Sequence, residues 1–190
     1  MAELDALVRL PQLETARCHL LIPAADSAPL LLHYLLRNRA RLAPWEPARE
    51  AHYYTEPTVR RQLEANREAA SDGSALHFVA FDKQHGDVVA TCAFSNIQRG
   101  VFQACHLGYS VDQDAEGSGL MFEVVQAGIA HMFGQAGLHR IMAGHAPHNT
   151  RSEALLRRLG FEREGYARSY LMIAGAWQDS VLNALVNPLE

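Results

Sequence analysis

Cysteine is scarce. Cys18, Cys92 and Cys105 are the only three in 190 residues, an odd number without C-x-x-C spacing. Neither a disulfide framework nor a zinc ribbon is indicated, and a reduced cytoplasmic compartment is the simplest expectation. Long apolar runs are missing too: nowhere does the chain hold the roughly eighteen consecutive apolar residues that a membrane-spanning helix needs. The first residues include Glu3 and Asp5 rather than a basic segment leading into an apolar one, so no secretory signal is expected. Nor is there a basic excess, the formal net charge being −4 at pH 7. That argues against binding nucleic acid through a basic face and mildly favours a cationic peptide as partner, although the 10 histidines shift the balance below neutral pH. Internal repeats, low-complexity tracts and linkers are absent. What remains, 48% hydrophobic and 20% charged residues, is ordinary globular composition, read as one domain over residues 1–190 with a sizeable core.

The chain itself is a succession of short periodic segments. Residues 16–22 alternate as a strand that Pro23 ends, and Asp26 or Ser27 is placed to cap a helix carrying Leu30, Leu31, Tyr34, Leu35 and Leu36. Arg37, Arg39 and Arg41 near its end suit the helix dipole. Pro44-Trp45-Glu46-Pro47 breaks it. A second helix is expected over 58–70, capped by Thr55 or Thr58 and stopped by Asp72-Gly73-Ser74. Strands over 75–81, 88–96 and 102–111 are joined by short polar loops containing glycine, which imply antiparallel hairpins. A helix to about Gln135, a strand at Arg140–His145, a helix over 150–159 closed by Gly160, and a hairpin of 164–173 with 177–186 complete the order β-α-α-β-β-β-α-β-α-β-β.

Residues 107–121, LGYSVDQDAEGSGLM, organise the rest. The strand-like run Leu107-Gly108-Tyr109-Ser110-Val111 leads into a polar loop closing on Gly117-Ser118-Gly119, and Leu120, Met121 and Val124 then follow at helical spacing. Such a loop turns several backbone N–H groups toward one point at the positive end of a helix, an anion cradle used most often for phosphate. Its glycines permit positive φ and close approach. The plainer reading is a tight turn. A second motif follows the strand at Arg140–His145: N-x-x-S-x-x-L-L-x-x-x-G-F, from Asn149 to Phe161. With the tail Ile173-Ala174-Gly175-Ala176-Trp177-Gln178-Asp179, these motifs resemble the GNAT superfamily of N-acetyltransferases, and within it the ribosomal-protein-alanine N-acetyltransferases of the RimJ/RimL type. The resemblance runs from Ala16 to Val186 and is densest from Ala104 onward. It implies an α+β GNAT fold: a single domain with a mixed sheet of six to seven strands and about four helices.

In that superfamily the strand before the glycine loop and the strand after the next helix splay apart, and the pantetheine arm of acetyl-CoA lies in the gap. The resemblance therefore implies that Leu107, Gly108, Tyr109, Ser110 and Val111 offer backbone groups to the pantetheine. It likewise implies that Glu116, Gly117, Ser118, Gly119, Leu120 and Met121 hold the diphosphate. Here the chain departs from the family: Asp114 replaces the usual Arg or Gln, and Glu116 sits inside the loop. Two carboxylates repel a diphosphate, and either side chains such as Arg157 or Arg158 or a turned-out loop is expected to compensate. Asn149 and Ser152, three apart on one helical face, are placed where both can meet the thioester end. Many members protonate the departing thiolate with a tyrosine seven residues after the asparagine, where this chain has Leu156. Ser152 is the candidate acid, as in RimL-like relatives; the alternative is that Asn149 and Ser152 only cap their helix.

The base is less marked, for a physical reason. An α-amino group has a pKa of about 7.7–8.0 against about 10.4 for lysine, so much of it is already neutral and a weak or water-mediated base suffices. His106, Glu46 and Glu123 are candidates; their structural readings are an edge or core histidine, a solvated loop charge and a first-turn helix acid. Trp45, Tyr53 and Tyr54, with Glu46 and Glu50, are candidates for a substrate mouth, or for ordinary loop packing. Trp177 and Tyr170 read as core or edge residues of the last hairpin. Cys105 lacks an activating neighbour beyond His106, which favours direct attack over an acetyl-enzyme. His139, His145 and His148 match no standard zinc spacing, and no metal is expected. The expected activity is acetyl-CoA-dependent acetylation of the N-terminal alanine of a ribosomal protein by a cytoplasmic monomer or homodimer, with no nucleic-acid or membrane partner. Two readings stay open: an acetyltransferase for a small amine or antibiotic, and a non-catalytic CoA-binding ribosome assembly factor.

Overall fold

Short polar connections fold β3 (Leu76–Asp82), β4 (Val88–Gln98) and β5 (Ala104–Val111) into an antiparallel meander. This is a computed structural model, and it describes residues 10–188; Glu3 and Asp5 lie outside them. The meander is extended on one side by β2 (Cys18–Leu21) and β1 (Leu13–Glu14), and on the other by β6 (Arg140–His145), β8 (Ala176–Val186) and β7 (Glu162–Ile173). The result is an eight-stranded mixed sheet in the order β1-β2-β3-β4-β5-β6-β8-β7. Among the described strands only β5 and β6 pair in parallel, as a crossover through a helix requires.

Among the described residues four α-helices cover the two faces: α1 (Ala28–Leu42), α2 (Glu56–Asp72), α3 (Leu120–Gly134) and α4 (Thr150–Arg158). Strand alternation decides what each face buries. Phe78 and Ala80 join Cys92, Phe94 and Leu107 under Val124, Val125, Met132 and Leu156 of α3 and α4. Val79 and Val88 instead meet Leu31 and Tyr34 of α1 and Val59 and Leu63 of α2. At Gly128 the approach of α3 to the sheet is so close that a Cβ would stand 2.6 Å from Cε2 of Phe94, which demands glycine.

The sheet has one strand more than expected. β1 is two residues long, too short to show periodicity, and exists because Thr15 closes a turn on Cys18: the Cys18 amide donates to Thr15 Oγ1 and the Thr15 amide to the Cys18 carbonyl, each at 2.9 Å. Neither expected serine or threonine cap forms through its side chain. Ser27 continues a 3-10 turn, Ala25–Ser27, into α1, and the Thr55 hydroxyl donates to the His52 carbonyl at 2.8 Å. Trp177 and Tyr170 are 62% and 44% exposed: Tyr170 is on β7, the outer edge of the sheet, and Trp177 is on the part of β8 that pairs with β7 alone, beyond its register with β6.

Candidate active site

β5 and β6 pair at Ala104↔Arg140, Cys105↔Ile141 and His106↔Met142, and there the pairing stops. β6 continues against β8 as far as His145↔Val181, while β5 runs on to Val111 against β4. Two parallel strands thus open a wedge with His106 at its apex. Leu107, Gly108, Tyr109, Ser110 and Val111 line one side, their second edge paired with no other described strand. An extended ligand carrying amides can bond there as an added strand would.

The wedge opens toward the loop that starts α3. Gly117 and Gly119 adopt φ of 70° and 78°, a region that a Cβ strains, and Gly119 is the N-cap of the helix. Among the described residues nothing accepts a hydrogen bond from the amide of either glycine. Ser118 shapes the turn: its hydroxyl donates to the Ala115 carbonyl at 2.6 Å and accepts from the Leu120 amide at 3.3 Å. Leu120 and Met121 anchor the helix in the core. Amides at the positive pole of a helix, without partners of their own, make an anion cradle.

The acidic residues of this loop are already neutralised. Glu116 lies between two guanidiniums, with Arg41 Nη1 at 2.7 Å from Oε1 and Arg151 Nη1 on Oε2. Arg41 also donates to the Val111 carbonyl and, at 3.1 Å, to Asn38 Oδ1. Asn38 is fully buried; it donates at 2.9 Å to Asp112 Oδ2 and to the Tyr34 carbonyl, and accepts from the Gln113 amide at 2.9 Å. Asp112, 1% exposed, takes a further bond from Arg37 Nε at 2.9 Å and from the Asp114 amide at 2.9 Å. Burial by itself would raise its pKa, but the bonds from Arg37 and Asn38 outweigh that and hold it below the usual carboxylate range. Asp114 lies 3.7 Å from Arg37. The counter-charges therefore come from Arg37 and Arg41 of α1 and from Arg151. Arg157 lines a groove with His145, Glu153, Phe161 and Tyr166 instead, and Arg158 stacks over Phe122 at 4.1 Å. Helical phase explains this: Arg151 begins α4 beside the loop, and Arg157 stands well over a turn further along.

At the start of α4 Asn149 caps the helix, its Oδ1 accepting from the Ser152 amide at 3.1 Å. The Ser152 hydroxyl takes no part in that cap and lies 2.6 Å from the Tyr109 hydroxyl. Leu156, 1% exposed, packs into the core. Among the base candidates, Glu123 is held by Arg17, whose amide and Nε donate to it at 2.9 and 2.7 Å. Although partial burial would raise its pKa, the Thr15 hydroxyl first and then the bonds from Arg17 hold it low, which disfavours proton uptake. His106 has a buried Nδ1 with no partner among the described residues. Glu46 lies beside a cavity of about 290 Å³ lined also by Arg39, Arg49, Tyr54 and Ala174. Its carboxyl is pushed up by burial, against the pull of Arg49 and Arg41, and its carbonyl accepts from the Ala174 amide at 2.9 Å. The neighbouring Trp45 ring packs 5.2 Å from His148, which holds this loop over the start of α4. All three cysteines are 0% exposed, and burial pushes the Cys105 thiol up to about 12, so none is a nucleophile at neutral pH.

The Arg41–Glu116–Arg151 cluster and the Asn38–Asp112 pair were not singled out in the sequence. One signal was present: Asn38 interrupts the stripe Leu31, Tyr34, Leu42 at helical spacing, and a buried amide requires partners.

Residues 20–162 match the family model described as Acetyltransferase (GNAT) domain. The chain is 48% identical over 159 residues to the [ribosomal protein uS5]-alanine N-acetyltransferase of Escherichia coli (strain K12), covering 83% of this chain and 81% of that protein. The crystal structure of a ribosomal-protein-S5-alanine acetyltransferase from Vibrio fischeri superposes with a TM-score of 0.89 at 36% identity, covering 94% of this chain and 97% of that one. RimJ of Mycobacterium smegmatis in complex with CoA-disulfide superposes with a TM-score of 0.88 at 27% identity, over 94% of this chain and 88% of its own.

Proposed function

Because the chain belongs to the GNAT acetyltransferase family, we propose that it transfers the acetyl group of acetyl-CoA to the α-amine of an alanine-starting ribosomal protein in the cytoplasm. The observation that carries this reading is the wedge between β5 and β6 running into the Gly117–Gly119 cradle, in a chain so similar to the uS5 enzyme. Backbone groups of Leu107, Gly108, Tyr109, Ser110 and Val111 suit a pantetheine arm. The loop amides from Glu116 to Met121, with Arg41 and Arg151, suit a diphosphate. When bound, acetyl-CoA supplies an activated acyl group on a thiol leaving group. Asn149 orients the first turn of α4, and Ser152 gives a proton to the departing sulfur. Glu46 receives the proton of the acceptor amine; its raised pKa suits that task better than a fully solvated carboxylate's would. His106 at the apex of the wedge is the second candidate.

The test is release of free thiol from acetyl-CoA in the presence of a peptide beginning with the N-terminal residues of protein uS5. Acetylation of the peptide's α-amine, seen by mass spectrometry, is the expected result. Acetylation of small amines alone would overturn the ribosomal acceptor, and binding without turnover of any amine would overturn the enzyme.

The charge arrangement gives a further expectation. Glu116→Gln frees Arg41 and Arg151 for the diphosphate and lowers the calorimetric Kd for CoA by about 3- to 10-fold. A weaker affinity would mean that Glu116 is needed to hold the two guanidiniums in place.

A further inference from the structure

Ser152 by itself is a poor acid for a thiolate. Giving up its proton would leave an alkoxide, a far stronger base than a thiolate whose conjugate acid has a pKa of about 8.5. Leu156, buried on α4, offers no proton. A phenol stands directly behind the serine: the Tyr109 hydroxyl on β5 lies 2.6 Å from Ser152 Oγ and has no other partner among the described residues. This contact spans from the β5 side of the wedge to the first turn of α4. Asn149 satisfies the Ser152 amide, which leaves the hydroxyl rotor free to face Tyr109 on one side and the wedge on the other.

We propose that Tyr109 and Ser152 form a two-hydroxyl proton relay, Tyr109 recharging Ser152 as Ser152 protonates the departing sulfur. The inference rests on the acetyl-transfer reading above. The acceptor nitrogen forms its bond to the acetyl carbon while the carbon–sulfur bond breaks and leaves its electron pair on sulfur. Ser152 Oγ gives its proton to that sulfur, and the Tyr109 phenol gives its own to Oγ. The residual negative charge rests on a phenolate rather than an alkoxide, and solvent returns the proton before the next turnover. Tyr109 acts through Ser152 and is a positioning residue in this sense. The titratable group facing it on β4 is Cys92, whose thiol burial keeps neutral, and burial pushes the phenol up to about 12. Tyr109 therefore holds its proton at neutral pH. Its phenolate is still a stronger base than the thiolate but a far weaker one than a serine alkoxide, so the relay lowers the uphill cost of the proton transfer without removing it.

Tyr109→Phe keeps the ring and removes the hydroxyl. The expected result is a kcat lower by about 10- to 100-fold with KM for acetyl-CoA within about twofold, and a double variant with Ser152→Ala no slower than Ser152→Ala alone. Additive losses, or an unchanged kcat, would overturn the relay. A second measurement does not depend on turnover. With 3-fluorotyrosine replacing Tyr109, the fluorine resonance moves when CoA is added and not when desulfo-CoA is added, and Ser152→Ala abolishes the response. The same response to both ligands, or one that survives Ser152→Ala, would assign Tyr109 to packing. If the unmodified enzyme releases thiol and Tyr109→Phe matches it, the relay falls and acetyl transfer stands; if the unmodified enzyme acetylates no amine, both fall.

Discussion

Ser152→Ala lowers kcat by about 10²- to 10³-fold at pH 7.5 and leaves KM for acetyl-CoA within about twofold. The expected asymmetry follows from what the hydroxyl does not do. Helix α4 is capped by Asn149, so the helix start survives the change. The Ser152 side chain carries one hydrogen bond, to Tyr109, and losing one such bond costs about 1 kcal/mol of stability. Alanine also suits a helical position. On the proposed role, what disappears is a proton needed only as the carbon–sulfur bond breaks, and an interaction made only in the transition state shows in kcat. Thiol-release kinetics with calorimetric titration of CoA separate the terms. An unchanged kcat would remove Ser152 from the chemistry; a raised KM at constant kcat would make it a binding group.

Asp112→Ala is expected to be the most destabilising single change near the site. Its carboxylate is 1% exposed and satisfies Arg37, Asn38 and the Asp114 amide together. Deleting it leaves the fully buried Asn38 amide short of an acceptor and Arg37 without its main partner. Arg37 is 35% exposed and can turn to water, so the cost rests on the hydrogen bonds a buried carboxylate loses, roughly 1.5–3 kcal/mol for each bond to a charged group; about 3–5 kcal/mol in all lowers Tm by about 6–20 °C for a chain of this size. The glycine loop follows the same network through Gln113 and Arg41, so CoA affinity falls as well. The pH dependence has a definite sign. The folded pKa of Asp112 lies below its unfolded value of about 3.9, so the stabilisation is fully present above that pH and is lost as pH falls through the folded pKa. The gap in Tm between wild type and variant is therefore constant near neutrality and closes in acid. A Tm lowered by less than about 3 °C at pH 7 would show that the network is dispensable.

The helices and the succession of strands along the chain were legible because each is written in local periodicity and in loops of a few residues, whereas the wedge was expected only from the family resemblance. The side-chain partnerships were not. Glu116 meets Arg41 75 positions earlier and Arg151 35 later, Asn38 meets Asp112 74 residues away, and Tyr109 meets Ser152 43 residues away. Periodicity shows which face of α1 is buried but not which strand end lies beneath it. The arginines of α1 therefore read as dipole partners, and the acids of the loop as repulsive. Asn149 and Ser152 shared a helical face, yet only the placement of β5 shows that one caps while the other turns to a tyrosine.

The wedge also bears on the cohesion of the sheet. A strand with an unsatisfied edge usually invites another chain to add to it, the commonest route from a folded sheet to an aggregate. Here that edge is recessed between β5 and β6, with sheet continuing on both sides, so a single narrow extended molecule can reach it and another protein's sheet cannot. Whatever fills the wedge thereby completes the fold. At a hundredfold excess over Kd such a ligand adds about 2.7 kcal/mol of stability, and the thermal midpoint of this protein becomes a gauge of how much acyl donor surrounds it.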